Sequence, residues 1–284
     1  MVERTRLTIA DILEKKRKQQ KITMLTAYDY PLSAIIDKAG IDIILVGDSL
    51  ANVVLGLKLT REIGMGEMLH HAKAVNRAVE HALLIGDMPY GSYHKGKNNA
   101  VKNARRFVKE AGCNAVKIEW FTKCLDVAKA IVDDGIPVMG HVGLTPQTAD
   151  HLGGMKVQGK DAKSARKIIQ YAKALEQAGC FSLVLECIPD RIAKIITAEV
   201  SIPTIGIGAG VHCDGQVLVS YDLLGLFDRY HPKFAKEYVD LKYLIYKAVN
   251  RYRDDVLDER FPAKEHSFSI KEEELKKLKE KENL

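Results

Sequence analysis

Seven polar side chains stand inside or just after short apolar runs of this sequence: Asp48, Ser49, Asp87, Lys117, Glu119, His141 and Glu186. LVGDSLANVVLG (45–56) breaks at Gly47, Asp48 and Ser49, and HALLIGDMP (81–89) delivers Asp87. NAVKIEW (114–120) carries Lys117 and Glu119, IPVMGHVG (136–143) carries His141, and FSLVLECIP (181–189) carries Glu186. A carboxylate left dry beside Leu and Val is costly, so each must be solvated, capped, paired or bound to a cation. Carboxylates without a His/Cys cluster favour a hard ion with oxygen ligands, which makes Mg²⁺ the first choice and Mn²⁺ the second, and His141 keeps zinc as a third. Such an ion also holds together carboxylates that otherwise repel. Each residue alone has a plainer reading. A strand-end Asp such as Asp48 or Asp87 can cap the next helix, His141 can be a hydrogen-bonded loop histidine, and Lys117 can be a partner for Glu119. Five successive runs bringing ionisable groups to one place are not explained by separate capping.

Placing these groups together requires a particular arrangement of elements. Eight β-branched runs recur, at 22–29, 41–49, 81–89, 114–120, 136–143, 181–189, 202–210 and 216–222. The segments between them, such as NNAVKNARRFVKEAG and DAKSARKIIQYAKALEQAG, have helical spacing and end in Gly, as helix C-termini often do. Strands buried on both faces read as continuous apolar runs, and eight strand-helix units predict a closed (β/α)8 barrel. An open doubly wound sheet would carry GxGxxG after its first strand, where this chain has TAYDYPLS. In a barrel the strand ends share one mouth, and Lys117 and Glu119, two apart, point to the same side. TIGIGAG (204–210) ends the seventh run, either to bind phosphate or to pack closely around the pocket. A helix over 8–18 is expected to cover the barrel floor, with further helices at 233–255 and 269–282. Residues 1–262 are expected to form one barrel domain with its flanking helices, and 263–284 a charged helical tail.

Composition agrees with a soluble globular protein with a large core. Of 284 residues, 46% are hydrophobic and 28% charged. No apolar run reaches the ~18 residues of a membrane span, and MVERTRLTIADILEKKRKQQ lacks the apolar core of a signal peptide. A cytoplasmic protein is expected. The five cysteines are scattered without a CxxC pair, which points to reduced thiols. The charge of +6 comes from lysines interleaved with Glu and Asp on helical stretches, so nucleic acid is not expected and small anions remain open as substrates.

At these motifs the chain resembles the ketopantoate hydroxymethyltransferase family, over about residues 6–255. The likeness runs through TAYDYPLSAIIDKAGIDIILVGDSLANVVLG, GDMPYGSY, VKIEW, MGHVGLTPQ, VLECIP and IPTIGIGAG. It implies a TIM barrel of the phosphoenolpyruvate/pyruvate type, assembled as a homodecamer of two pentameric rings. It also implies transfer of a one-carbon unit from 5,10-methylenetetrahydrofolate to 3-methyl-2-oxobutanoate, giving 2-dehydropantoate in pantothenate biosynthesis, with one Mg²⁺ per subunit. The resemblance carries Asp48 and Asp87 over as metal ligands, with Glu119 reaching the metal directly or through water. It carries Ser49, Lys117 and His141 over as contacts of the 2-oxoacid, together with the metal-bound Asp48 and Asp87, and Glu186 as the catalytic base. LKLTREIGMGEML (57–69) departs from the Thr/Val-rich loop of many bacterial members, and the Lys/Glu-rich stretch after about residue 260 has no counterpart. A Mg²⁺-dependent 2-oxoacid aldolase or lyase would use nearly the same carboxylates. A Schiff-base aldolase would use Lys117 covalently, and a silent metabolite-binding barrel would exchange no protons.

Overall fold

Eight parallel strands close on themselves in chain order, each hydrogen-bonded to the next and β8 returning to β1. They are β1 Ile22–Thr26, β2 Ile43–Val46, β3 Leu83–Asp87, β4 Ala115–Glu119, β5 Val138–Gly143, β6 Ser182–Glu186, β7 Thr204–Ile207 and β8 Gly215–Leu218. The helices are α1 Ile9–Arg17, α2 Tyr30–Lys38, α3 Leu50–Val53, α4 Met65–Asn76, α5 Lys97–Ala111, α6 Cys124–Asp133, α7 Ala162–Gln177, α8 Asp190–Glu199, α9 Ser220–Leu223, α10 Leu241–Leu257 and α11 Glu272–Glu282. This computed structural model describes residues 5–229 and 232–282. The chain falls into two compact units, the first ending at Glu237 and the second running Tyr238–Leu284. The (β/α)8 barrel expected from the sequence is the observed fold, and all eight expected strands are present.

Strand pleating divides the core in two. Ile22, Met24, Ile43, Leu45, Leu83, Ile85, Ala115, Met139, Val184, Ile205 and Val217 face the barrel interior as one cluster, with Ile12 of α1 among them. The alternate residues, including Ile44, Leu84, Val116, Ile118, Leu183 and Leu185, face outward against Met68, Phe107, Ile131, Leu175 and Ile196 of the helices. With both faces covered, the strands are apolar along their length, as parallel strands must be. α1 starts at a reciprocal cap, in which Asp11 N donates to Thr8 Oγ1 while the Thr8 backbone N donates to Asp11 Oδ2. Its Ile12 is fully buried beneath the strands, so the expected floor helix closes the N-terminal end.

In the second unit, α10 begins at Leu241, where an onset at 233 was expected. Asp240 supplies its start by accepting from Tyr243 N at 2.9 Å. The stretch that ends the first unit, 232–237, is irregular, with a turn in which Ala235 N donates to the Pro232 carbonyl, and Phe234 packs on Gly208 of the same unit. α10 buries no residue; Tyr243, Leu244, Ile245, Tyr246, Val249, Tyr252, Val256 and Leu257 are all exposed.

Candidate active site

The inward parity that is apolar low in the barrel becomes ionisable at its mouth. Asp87 follows Ile85 by two residues, Lys117 and Glu119 follow Ala115 by two and four, His141 follows Met139 and Glu186 follows Val184. Each therefore points into the lumen. Strand register sets Asp87 beside Lys117 and Glu119 beside His141. All seven residues singled out in the sequence line one cavity of about 170 Å³, together with Phe227, Pro232 and Phe234. Gly208, with φ of +61°, lets Phe234 come this close, because a Cβ there would lie 2.7 Å from its ring. Gly208 of TIGIGAG thus shapes the pocket.

Asp48 caps no helix through its buried Oδ2, which has no hydrogen-bond partner, whereas its backbone N donates to Asp87 Oδ2 at 3.2 Å. Ser49 begins α3 without a side-chain cap, and its hydroxyl instead meets Tyr28 Oη at 2.8 Å. Lys117 does not pair with Glu119: its Nζ donates to both oxygens of Asp87, at 2.8 and 2.7 Å. Asp87 lies closer to it on the next strand. His141 is a strand residue with both ring nitrogens buried and outside any hydrogen bond. Its Nδ1 is 3.6 Å from Glu119 Oε1 and its Nε2 is 3.3 Å from Glu186 Oε2.

Burial dominates the charge states. It lowers His141 well below the ordinary imidazole range, and the Lys117 ammonium lowers it further, so neither approach to a glutamate is an ion pair. Burial likewise raises Glu119 well above the usual carboxyl range, with Asp48 adding to the shift. It pushes Glu186 up to about 8, against the pull of Lys117. For Lys117, desolvation alone would lower the pKa, but Asp87, Glu119 and Asp48 outweigh it and hold the ammonium charged. Burial also raises Asp87, and its ion pair opposes the rise.

The donors suit a hard cation in limited number. Among the described residues no group of three His, Cys, Asp or Glu side chains forms a ready metal cage. Mg²⁺ does not need one, because it keeps waters and takes one or two carboxylates plus substrate oxygens. The unpartnered Asp48 Oδ2, beside the Asp87 carboxylate and in a lumen that also holds Glu119 Oε1 without a partner, fits that habit.

A supporting network escaped the sequence reading. Tyr93 Oη donates to Gln147 Oε1 at 2.6 Å, Gln147 Nε2 donates to the Met88 carbonyl at 3.1 Å, and Gln147 N donates to Glu119 Oε2 at 3.1 Å. Both residues lie in motifs noted there, GDMPYGSY and MGHVGLTPQ, but in loops, where no periodicity reveals which way a side chain turns.

Residues 6–264 match the family model described as ketopantoate hydroxymethyltransferase. A 3-methyl-2-oxobutanoate hydroxymethyltransferase of Syntrophomonas wolfei is 53% identical over 273 residues, covering 96% of this chain and 99% of that protein. Among solved structures, a phosphoenolpyruvate phosphomutase from Streptomyces platensis aligns with a TM-score of 0.59 at 13% identity, over 96% of this chain and 99% of its own. A phosphonopyruvate hydrolase in complex with oxalate and Mg²⁺ aligns with a TM-score of 0.56 at 12% identity, over 98% of this chain and 100% of its own. At that identity the two structures share the fold.

Proposed function

The chain belongs to the ketopantoate hydroxymethyltransferase family, and from that premise we propose that it transfers a hydroxymethyl unit from 5,10-methylenetetrahydrofolate to 3-methyl-2-oxobutanoate. With one water consumed, the products are 2-dehydropantoate and tetrahydrofolate. The observation that carries this reading is the polarity of the lumen: a carboxylate pair and an ammonium from β2, β3 and β4 face a carboxyl on β6, across a pocket sized for a small oxoacid.

Asp48 and Asp87 would hold Mg²⁺, with Glu119 reaching it directly or through water. When bound, the ion supplies Lewis-acid polarisation of the keto oxygen. Lys117, kept charged by its carboxylate neighbours, neutralises the substrate carboxylate and the negative charge that develops on oxygen. Ser49 donates to the oxoacid while Tyr28 fixes its hydroxyl. Glu186 stands on β6, half a turn of the barrel from β2, and takes the C3 proton onto its carboxylate. Water releases the donor's methylene carbon as formaldehyde, breaking both C–N bonds and leaving tetrahydrofolate; the carbanion adds to that carbonyl carbon, and the resulting alkoxide takes the proton back from Glu186 to become the hydroxymethyl group. His141, neutral beside Glu186, contacts the oxoacid and lends the base an adjacent polar group without adding charge.

The same reading makes the protein a self-associating cytoplasmic enzyme, with a homodecamer as the assembly. No helix among the described residues is long and apolar enough to cross a membrane. The test is a direct assay with the oxoacid, the folate donor and Mg²⁺. Formation of 2-dehydropantoate that stops with EDTA and returns with Mg²⁺ is the expected result. Absence of turnover, or turnover indifferent to EDTA, overturns the reading.

A further inference from the structure

A second cavity, of about 530 Å³, opens outside the first and shares Asn52, Thr60, Pro146, Met155 and Phe227 with it. The inner cavity, at about 170 Å³, is below the roughly 300–1,000 Å³ of sites that enclose drug-sized ligands. It can take an oxoacid and the reacting end of a donor, and a larger donor must extend outward.

The lining of the outer cavity describes what extends there. Leu59 and Met155, 40% and 57% exposed, give it an apolar wall together with Leu57, Pro146, Ala149 and Phe227. Lys58 and Arg229 also line it, and neither pairs with a carboxylate among the described residues. Arg229 Nη1 donates to the Gly56 carbonyl at 2.9 Å, which leaves most of its donors available. Arg61 differs, being held by Asp150 at 2.6 Å, so anionic groups are drawn toward Lys58 and Arg229 and away from that pair. Thr60 stands at the junction of the two cavities; it is 8% exposed, and its buried Oγ1 has no hydrogen-bond partner. A buried hydroxyl without a partner is costly unless a ligand atom satisfies it.

We infer that the outer cavity binds the p-aminobenzoyl-glutamate arm of the one-carbon donor, the aromatic ring against the apolar wall and the glutamyl carboxylates on Lys58 and Arg229. The inference rests on the reading that the donor is a folate.

The experiment uses the full chain with Mg²⁺ and compares Lys58→Glu and Arg229→Glu with the unaltered protein. The KM for the monoglutamyl and triglutamyl donors is expected to rise about tenfold or more, the scale of one lost charge-assisted contact, with the largest rise for the triglutamate. The KM for 3-methyl-2-oxobutanoate stays within about twofold on the same scale, and Lys58→Arg restores donor binding. p-Aminobenzoyl-triglutamate alone inhibits competitively against the donor and not against the oxoacid. Should Arg229→Glu fail to fold, the exposed Lys58 still carries the test. Unchanged donor KM in Lys58→Glu together with no inhibition by the fragment overturns the inference while the folate reading stands. Failure of the unaltered protein to use any folate donor overturns both.

Discussion

Lys117 Nζ lies 2.7 and 2.8 Å from the two oxygens of Asp87, across neighbouring strands, with almost none of either side chain exposed. Removing one member of such a buried pair leaves an uncompensated charge and costs about 3–5 kcal/mol. Asp87→Asn should therefore lose Mg²⁺-dependent turnover and also lose stability on that scale in urea denaturation. Combining it with Lys117→Met should recover the stability and leave turnover absent. Normal stability in the single variant would remove the pair from the account.

Glu186 as base must be ionised before it can accept a proton, and burial has raised it to about 8. Proton exchange at C3 of the oxoacid should consequently increase as pH rises through about 8 and level off above it. Glu186→Gln should lower exchange by roughly 10²–10⁴-fold and abolish that dependence, with oxoacid and Mg²⁺ binding retained. Near-normal exchange in this variant would transfer the role to another group, with His141 first in line.

The same raised carboxyl has a sign for stability. Glu186 is protonated in the folded chain over a pH range where the unfolded chain is ionised, so its contribution is complete below the ordinary value of 4.5 and disappears as pH climbs through about 8. Glu119, also raised, works in the same direction. His141, lowered by burial, works the other way below the ordinary imidazole value of 6.5, so the metal-free protein should melt at progressively lower temperature from about pH 6.5 to about 8, and Mg²⁺ should offset much of the fall by binding the folded state. A melting temperature that increases over this interval would contradict the assignment.

Gln147 is the one side chain that joins the Tyr93 hydroxyl to the Met88 carbonyl, while its backbone N–H holds Glu119. Gln147→Ala strands two buried polar groups and should cost about 1–3 kcal/mol. Because the Glu119 contact comes from the backbone, Mg²⁺ affinity should fall less than stability does. Calorimetric Mg²⁺ titration beside thermal melts measures both.

The apolar side chains of α10 carry an assembly expectation, since an exposed patch of this extent on a helix needs cover. Sedimentation should give a mass far above the 31.6 kDa of one chain. Tyr246→Lys with Val249→Lys, one turn apart, should reduce it. A stable monomer in the unaltered protein would count against a ring.

Period-two spacing made much of this legible beforehand. Lys117 and Glu119 had to share a face with Ala115, and eight apolar runs separated by helical segments had to close into a barrel. What escaped was set by contacts distant in sequence. Lys117 chose Asp87, thirty residues earlier, over its near neighbour Glu119 because strand register decides which carboxylate is opposite. Phe234 left the helical pattern for the space above Gly208, and no local periodicity records that space. Tyr93 and Gln147 meet from two loops 54 residues apart.

With Ile12 of α1 wedged beneath the strands, the described residues close the barrel at its N-terminal end and leave its mouth at the strand ends as the doorway. Traffic through one doorway has an order: the molecule that sits deepest enters first and departs last. The oxoacid should therefore load before the donor, and the spent carrier should leave ahead of the new carbon–carbon product, a sequence that the strand ends impose by depth alone.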